Sequence, residues 1–211
     1  MASAESVESI GADRRGDRRE AKKAWILVEA WALARRDGLA AISLRDLADR
    51  VDLRQPSLYA YFDSKLDLYD MMFADGNRQL LSWIGELPQR DDPRQALVEF
   101  LQSLVMFSSL DVVRHQLLFQ RTIPEFEPSP SSYAVAQEFY EIARQRLVAV
   151  GVSELEDIDL FSALANGLAH QQVANDPGGD RWARLAERSV DMYLGSLTRS
   201  KQSKEQRGES K

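Results

Sequence analysis

Residues 42–69 read ISLRDLADRVDLRQPSLYAYFDSKLDLY, and the pattern of this stretch decides the fold. Its first part, residues 44–51, carries an apolar stripe at helical spacing. Ser43 precedes the stripe and is followed three positions later by an acidic residue, an arrangement that caps a helix N-terminus. A tight turn at residues 52–53 then leads to a short third helix. This helix is predicted to open at Pro56, a residue suited to the first helical position.

The short third helix has one apolar face and one polar face. At 100° per residue, Leu58 and Phe62 lie on the same side, where they can pack on the apolar stripe of the preceding helix. Small and hydrogen-bonding side chains occupy the rest of its surface. These are Gln55, Pro56, Ser57, Tyr59 and Tyr61.

Two interpretations of this helix pair are open on the residues alone. In the first, the short helix enters the DNA major groove while the preceding helix crosses the backbone. Small outer residues would allow close approach, and Gln55 and Ser57 would form hydrogen bonds with base edges. In the second, the pair is a surface helical hairpin with two exposed tyrosines.

A resemblance to a known family favours the first interpretation. An amphipathic first helix is predicted over residues 19–38, and the motifs LRDLA, SLYAYF and SK-DL follow it at fixed spacing. Over residues 19–69 this arrangement resembles the DNA-binding end of the tetracycline-repressor (TetR) family of bacterial transcription regulators. The resemblance implies an N-terminal three-helix DNA-binding domain with a helix-turn-helix. A helical effector-binding and dimerisation domain is expected to follow it.

The resemblance also implies which side chains contact DNA. The tip of the short helix corresponds to the base-reading residues of the family, and its tyrosines correspond to aromatic residues that contact the DNA backbone. Arg45 corresponds to a phosphate or base contact, and Lys65 to a phosphate-binding lysine at the start of the fourth helix. The expected DNA contacts are Arg45, Arg54, Gln55, Pro56, Ser57, Tyr59, Tyr61 and Lys65.

The sequence departs from the family pattern at two positions near the turn. Asp52 stands where the family usually has glycine, and aspartate tolerates a positive φ better than most residues. Arg54 stands where the family usually has Ser or Thr. This change removes a capping hydroxyl but adds a cation next to the expected phosphates.

The basic run RRGDRREAKK, residues 14–23, has two interpretations. Mixed charges of this kind are typical of a solvated helix start. The alternative is a flexible arm that contacts DNA through its cations, and the acidic residues among them weaken that alternative. The cations are Arg14, Arg15, Arg18, Lys22 and Lys23.

Charge is distributed unevenly along the 211-residue chain. The net charge is −6, yet residues 14–65 hold twelve Lys and Arg against eight Asp and Glu. A basic head on an acidic body is compatible with a nucleic-acid partner. The absence of cysteine excludes disulfides, thiolate zinc sites and a cysteine nucleophile, and it fits a reducing compartment. Neither a signal peptide nor an apolar run of about 18 residues is evident, so we expect a cytoplasmic protein without a membrane partner.

The rest of the chain predicts an all-α protein of about nine helices. We expect four segments. Residues 1–18 form a disordered N-terminal arm, residues 19–66 the helix-turn-helix domain, and residues 67–199 the effector-binding and dimerisation domain. Residues 200–211 form a disordered tail. The small residues of IDLFSALANGLAHQQVA permit close helix packing, so this helix and the last one are expected to dimerise. The predicted interface residues are Leu160, Ala163, Leu164, Gly167, Leu168, Val190, Tyr193, Leu194 and Leu197.

A pocket for an apolar or aromatic small molecule is expected among the middle helices. Most of its candidate residues are equally typical of a plain core. They are Trp83, Phe100, Met106, Phe107, His115, Phe119, Phe139 and Tyr140. His170 is a further candidate for the dimer seam, although a lone histidine among apolar residues usually only packs.

No motif for catalysis, a metal or a cofactor is evident, so we expect no enzyme activity and no cofactor. With the resemblance, the sequence predicts a homodimeric repressor that binds a palindromic operator in double-stranded DNA and is released by a small-molecule effector. Two alternatives stay open. One is an activator of the same fold, and the other is an all-α small-molecule-binding protein or enzyme without a DNA function.

Overall fold

A computed structural model of the protein describes the backbone of residues 3–208 and the side chains of residues 16–198. Within this part of the chain the fold is all-α, as predicted, with nine α-helices, one 3-10 turn and no strand. The helices are α1 (Ser3–Asp37), α2 (Leu44–Arg50), α3 (Gln55–Leu58), α4 (Lys65–Gly85), α5 (Pro93–Leu110), α6 (Val112–Phe119), α7 (Pro130–Ala149), α8 (Leu155–Asn175) and α9 (Ala186–Gly208). The 3-10 turn, Ala183–Leu185, immediately precedes α9.

The first and last helices extend further than the sequence analysis placed them. The backbone of α1 is helical from Ser3, whereas the predicted helix begins at residue 19. Alanine, glutamate and arginine in this segment favour helix, although serine, glycine and aspartate, which favour it less, are equally numerous in residues 3–18. The side chains of Arg14 and Arg15 lie outside the described residues, so their contact with DNA stays a prediction. The expected disorder of residues 1–18 and 200–211 likewise stays a prediction.

Local capping fixes the helices of the N-terminal head, residues 19–66. Ser43 Oγ accepts a hydrogen bond from the backbone N–H of Asp46 at 3.2 Å, which begins α2 where the sequence predicts. Ser64 Oγ accepts one from the N–H of Asp67 at 3.1 Å and begins α4. Between α2 and α3, Asp52 has φ 53°, the positive value that its place in the turn requires.

Two hydrophobic clusters form the interior, and α4 belongs to both. The head cluster contains Leu47, Val51 and Leu58 and continues into Leu68 of α4. The body cluster contains the inner face of α5 and continues into Leu80 of α4. One helix thus contributes to the core of both the head and the body.

Polar contacts fasten α1 of the head to the body. The guanidinium of Arg35 donates two hydrogen bonds to Asp111 Oδ2, at 3.0 and 2.7 Å. Trp31 Nε1 donates to Asp75 Oδ2 at 2.8 Å. Close packing adds to these contacts, because a Cβ at Gly76 of α4 would lie 3.4 Å from Cζ2 of Trp31 and 3.1 Å from a methyl carbon of Leu118 on α6. The head is therefore packed directly against α4 and α6.

One buried glutamine organises the connection between α8 and α9. Gln172 is fully buried, and its Oε1 accepts hydrogen bonds from the backbone N–H groups of Trp182 at 2.7 Å and Ala183 at 3.2 Å. Its Nε2 donates to the backbone oxygen and the carboxylate of Asp176. The side chain thus replaces backbone pairing in a loop that has no regular structure of its own.

Among the helices within the described range, none alone combines the length and the apolar composition that a membrane crossing needs. The pair Pro93–Leu110 and Val112–Phe119 meets the requirement only when taken together, and it is bent by 116°.

Candidate nucleic-acid interface and effector cavity

The short helix α3 is held by its apolar side and leaves its polar side open. Leu58 has no exposed surface and Phe62 is buried, and both belong to the head cluster as predicted. Helix α3 begins at Gln55, one residue before the predicted start at Pro56, and Arg54 occupies the N-cap without a side-chain hydrogen bond. No side chain therefore caps the N-terminus of α3.

Six of the eight expected DNA contacts are exposed, and Tyr61 and Lys65 are half-buried. Tyr59 has 46% of its surface accessible, which is unusual for so large an aromatic residue in a folded head. The side chains of Arg45, Arg54, Gln55, Ser57 and Tyr59 form no hydrogen bond or salt bridge with any atom that the structure describes. Their polar groups are available to a partner.

Lys65 has a structural contact within the head. Its Nζ donates to the backbone oxygen of Ala40 at 2.9 Å and lies 5.7 Å from the centre of the Tyr69 ring. Partial burial lowers the pKa of this amine from its ordinary value. The ammonium group thus holds the turn between α1 and α2, in addition to the phosphate contact expected from the sequence.

Two cations of α1 fix the turns on either side of α3. Arg19 donates to the backbone oxygen of Ala60 at 2.8 Å, and Lys22 donates to that of Val51 at 2.8 Å. Sequence reasoning assigned Lys22 to solvent or to DNA and did not find this contact. Arg19 and Lys22 lie one helical turn apart on α1, and this spacing is the sequence feature that places both cations on the same face. Lys23 pairs with Glu20 at 3.0 Å.

A cavity of ≈ 230 Å³ lies between α4, α6, α7 and the loop that joins α6 to α7. Three of the predicted pocket residues, Phe119, Phe139 and Tyr140, line it. The sequence analysis did not select its other walls, because the loop residues carry no helical periodicity and the periodicity of α4 and α7 does not show which apolar residues border a cavity. Those walls include Phe73, Asn77, Arg121, Ile123, Phe126, Tyr133 and Ala136.

The structure places the other five predicted pocket residues away from this cavity. Phe100 stacks on Phe139 at 5.6 Å and lines a second cavity of ≈ 40 Å³ beyond it. Trp83 lies at the surface, where its Nε1 donates to Ser103 Oγ at 2.7 Å, and its ring packs 6.1 Å from that of Phe107. Met106 packs against the body cluster. His115 is buried and packs 5.4 Å from the ring of Phe119.

Comparison with known proteins agrees with this geometry. The family model described as bacterial regulatory proteins, tetR family, matches residues 26–72, the segment that contains α2 and α3. Residues 26–72 thus form a DNA-binding domain of the TetR type. The protein is therefore a DNA-binding transcriptional regulator.

Relatives of this regulator extend the likeness beyond the head. The HTH-type transcriptional activator FasR of Mycolicibacterium smegmatis is 26% identical over 159 residues, which cover 67% of this chain and 73% of FasR. A TetR-family regulator from Streptomyces coelicolor superposes with a TM-score of 0.67 at 18% identity, covering 86% of this chain and 83% of that chain. The fatty acid degradation regulator FadR from Bacillus halodurans superposes with a TM-score of 0.64 at 13% identity, covering 82% and 94%.

In this regulator, the residues predicted for the dimer interface divide into three groups. Leu160, Ala163 and Gly167 are exposed along one face of α8. Leu164, Leu194 and Leu197 are half-buried. Leu168, Val190 and Tyr193 are instead buried within the subunit.

Tyr193 shows why the buried residues of this predicted interface face inward. Its hydroxyl donates to the backbone oxygen of Asp157 at 2.7 Å, and its ring packs edge-on against Phe161 at 5.3 Å. This side of α9 packs on α5 and α8 and so belongs to the core. The outward side carries Met192, which is 59% exposed and was not selected from the sequence. His170, the further candidate for the seam, lies exposed on α8 and pairs with Gln120 at 3.0 Å.

The buried histidine makes the stability of this regulator depend on pH. Burial, with a smaller contribution from nearby His170, lowers the pKa of His115 from 6.5 to about 4. The unfolded chain binds this proton below pH 6.5, whereas the folded chain does so only near pH 4. The free energy of unfolding therefore falls as the pH drops through this window, by up to about 3 kcal/mol.

We expect the variant His115→Gln to lose stability less steeply than the unchanged protein between pH 6.5 and 4. Urea unfolding at three pH values across this window measures the effect. His170→Gln, at an exposed histidine, is the matched control and should keep most of the slope, because burial is the larger cause of the lowered pKa of His115. Equal slopes for His115→Gln and the unchanged protein would contradict the burial argument.

Proposed function

We propose that this protein is a homodimeric repressor that binds a palindromic operator and leaves it when a small molecule occupies the cavity of the body. The observation that carries the proposal is the open polar side of α3, which stands above a fully buried apolar side. A solvent-facing helix with unpaired Gln55 and Ser57 is suited to hydrogen bonds with base edges. It contacts too few base pairs to specify a site alone.

The proposed roles of the head residues follow from their placement. Gln55, Pro56 and Ser57 face the base edges at the N-terminal tip of α3. Tyr59 and Tyr61 flank them and contact the backbone. The cations Arg45, Arg54 and Lys65 neutralise phosphates, so binding should weaken steeply with salt.

The exposed face of α8 supports a symmetric dimer. Leu160 is 52% exposed, and the small residues Ala163 and Gly167 follow it at intervals of three and four along the helix. In an isologous interface this stripe would pack against its own copy, and the small residues would let the two helices approach closely. Two heads related by a twofold axis then match a palindromic duplex.

Replacing Leu160 by aspartate is expected to convert the dimer to a monomer and to lower duplex affinity by about tenfold or more. The interface would contain each residue twice, so the loss of about 1.5–3 kcal/mol per leucine is doubled. Sedimentation velocity measures the mass, and fluorescence anisotropy measures the affinity. Leu155→Asp, the same change on another face of α8, is the control and should stay dimeric. A monomeric unchanged protein would contradict the proposed assembly.

The cavity supports a small aromatic or apolar effector. Six aromatic rings line it, including those of Phe73, Phe119 and Phe139, so a flat or apolar molecule would find complementary walls. Arg121 lies at the wall with an 86% exposed side chain and a long salt bridge to Glu127 at 3.5 Å. It offers a cation to a polar end of the effector.

Activation is the second candidate function, because FasR, a relative of 26% identity, is described as a transcriptional activator. The two candidates share the DNA-binding mode and differ in where the operator lies relative to the promoter. Transcription in vitro from a promoter that contains the selected duplex distinguishes them. A repressor lowers the transcript when added, and an activator raises it.

Selection of duplexes from a random pool tests the proposal as a whole. We expect recovered sequences to contain two inverted half-sites, with centres about one helical turn or a multiple of it apart. The selected duplex should then be released by members of a panel of small aromatic molecules. Recovery of no enriched sequence at low salt would overturn the proposed function.

A further inference from the structure

Phe126 stands in the wall of the cavity and touches α4 at the same time. Its ring lies edge-on to that of Tyr69 at 6.0 Å and to that of Phe73 at 6.2 Å. Phe73 is itself a cavity wall, whereas Tyr69 lies one helical turn closer to the head. Phe126 is half-buried, and its packed side contacts both rings, so an occupant that pushes it toward α4 also displaces them.

Tyr69 connects this contact to the head. It is 2% exposed, and its hydroxyl donates to the backbone oxygen of Leu39 at 2.5 Å. Lys65, one turn earlier on α4, lies over the Tyr69 ring and donates to the oxygen of Ala40. Leu39 and Ala40 form the turn between α1 and α2. Movement of the Tyr69 ring therefore acts directly on the support of α2.

The segment that carries Phe126, residues 125–132, contacts α4 at a second place through hydrogen bonds to Asp70. The carboxylate of Asp70 accepts three hydrogen bonds: from the backbone N–H of Ser129 at 2.7 Å, from Ser129 Oγ at 2.8 Å and from Ser132 Oγ at 2.7 Å. Next to Phe126, Glu125 has φ 62°, in the left-handed region that a residue with a side chain seldom adopts. The segment is thus held in a strained conformation by an anchor on the residue that follows Tyr69.

Resting on the function proposed above, we propose that Phe126 transmits occupancy of the cavity to the DNA-binding head through Tyr69, with Asp70 as the fixed anchor. An occupant presses on the free face of the Phe126 ring. The Asp70 anchor keeps the segment from moving away as a whole, so the ring moves against Tyr69. The turn at Leu39 and Ala40 then shifts, and the position of α2 and α3 changes with it.

A side chain that fills the cavity can stand in for the unidentified effector. Ala136 lines the cavity from α7 and is 5% exposed, so Ala136→Phe places a ring inside it.

The affinity for a duplex selected from a random pool is measured by fluorescence anisotropy. Four proteins form a cycle: the unchanged chain, Ala136→Phe, Phe126→Ala and the double variant. We expect Ala136→Phe to weaken binding by about 5–150-fold in the unchanged background. In the Phe126→Ala background we expect Ala136→Phe to lower duplex affinity by less than about threefold.

Ala143→Phe is the matched control for the filling substitution. Ala143 lies two turns further along the same side of α7 and lines the second cavity, which Phe126 does not border. This variant should leave duplex affinity within about twofold in either background, because the second cavity does not border Phe126, on which the proposed relay depends. Thermal unfolding followed by circular dichroism verifies each variant. If Ala136→Phe does not unfold cooperatively, Ala136→Leu replaces it. We expect this smaller side chain to lower duplex affinity less, and the loss of affinity should again depend on the Phe126 ring.

The outcomes separate this relay from the proposed function. An equal loss of affinity with and without the Phe126 ring would overturn the relay, as would a folded filling variant that binds as tightly as the unchanged protein. In both cases binding by the unchanged protein would leave the proposed function in place. Failure of the unchanged protein to bind any duplex would overturn the proposed function, and the relay with it.

Discussion

Ser57→Glu is expected to lower affinity for the selected duplex by about 100-fold while the protein keeps its fold. Ser57 is exposed on the outer side of α3, at the tip that we propose faces the base edges. A carboxylate there meets the negative potential of the groove, and like charges brought together at an interface cost several kcal/mol. A loss of about 2.7 kcal/mol corresponds to 100-fold.

The substitution tests binding rather than folding because glutamate suits this position in a helix. Ser57 is the third residue of α3, and an acidic side chain in the first turn interacts favourably with the helix N-terminus. The stability of Ser57→Glu should therefore equal or slightly exceed that of the unchanged protein. Fluorescence anisotropy measures the affinity, and urea unfolding measures the stability.

Ser82→Glu is the matched control for charge. Ser82 is exposed on α4 in the body half of that helix, so the same change in net charge occurs far from α3. It should alter duplex affinity by less than about threefold, through long-range electrostatics alone. A similar loss in both variants would show that overall charge, and not the position of Ser57, governs binding. Binding of Ser57→Glu at full strength would remove α3 from the proposed interface.

Gln172→Ala is expected to destabilise the protein by about 3 kcal/mol. The amide is fully buried, and its removal leaves the N–H groups of Trp182 and Ala183 without their acceptor. A buried polar group left unpaired costs about 1–3 kcal/mol, and loss of the side chain also leaves a cavity. In a chain of this size the midpoint of thermal unfolding should fall by roughly 6–12 °C.

Gln171→Ala is a control of the same residue type at the neighbouring position. Gln171 is exposed on α8, where its Oε1 accepts one hydrogen bond from Asn175 Nδ2 at 2.6 Å. Surface substitutions of this kind usually change stability by less than about 0.5 kcal/mol. Circular dichroism during heating measures both variants. Equal midpoints for Gln172→Ala and Gln171→Ala would show that the α8–α9 connection does not depend on this amide.

Much of the head was predictable from the sequence because its signals are local. Ser43 caps α2, the turn uses Asp52 at positive φ, and Leu58 and Phe62 face inward as their spacing indicates. Each of these features depends on residues within a few positions of one another. The all-α class followed from such local patterns. The helix-turn-helix and the residues proposed to contact DNA followed from the family resemblance that the local motifs carry.

Only the tertiary structure decided which residues line the cavity and which side of each body helix is buried. Val190 and Tyr193 have the spacing of an interface stripe, yet they face α5 and α8 because those helices cover that side of α9. Phe126 and Asp70 gain their proposed roles from partners far away along the chain. Helical periodicity shows that a face is apolar, but it does not show what covers the face. That depends on long-range packing, which no local stretch of this sequence encodes.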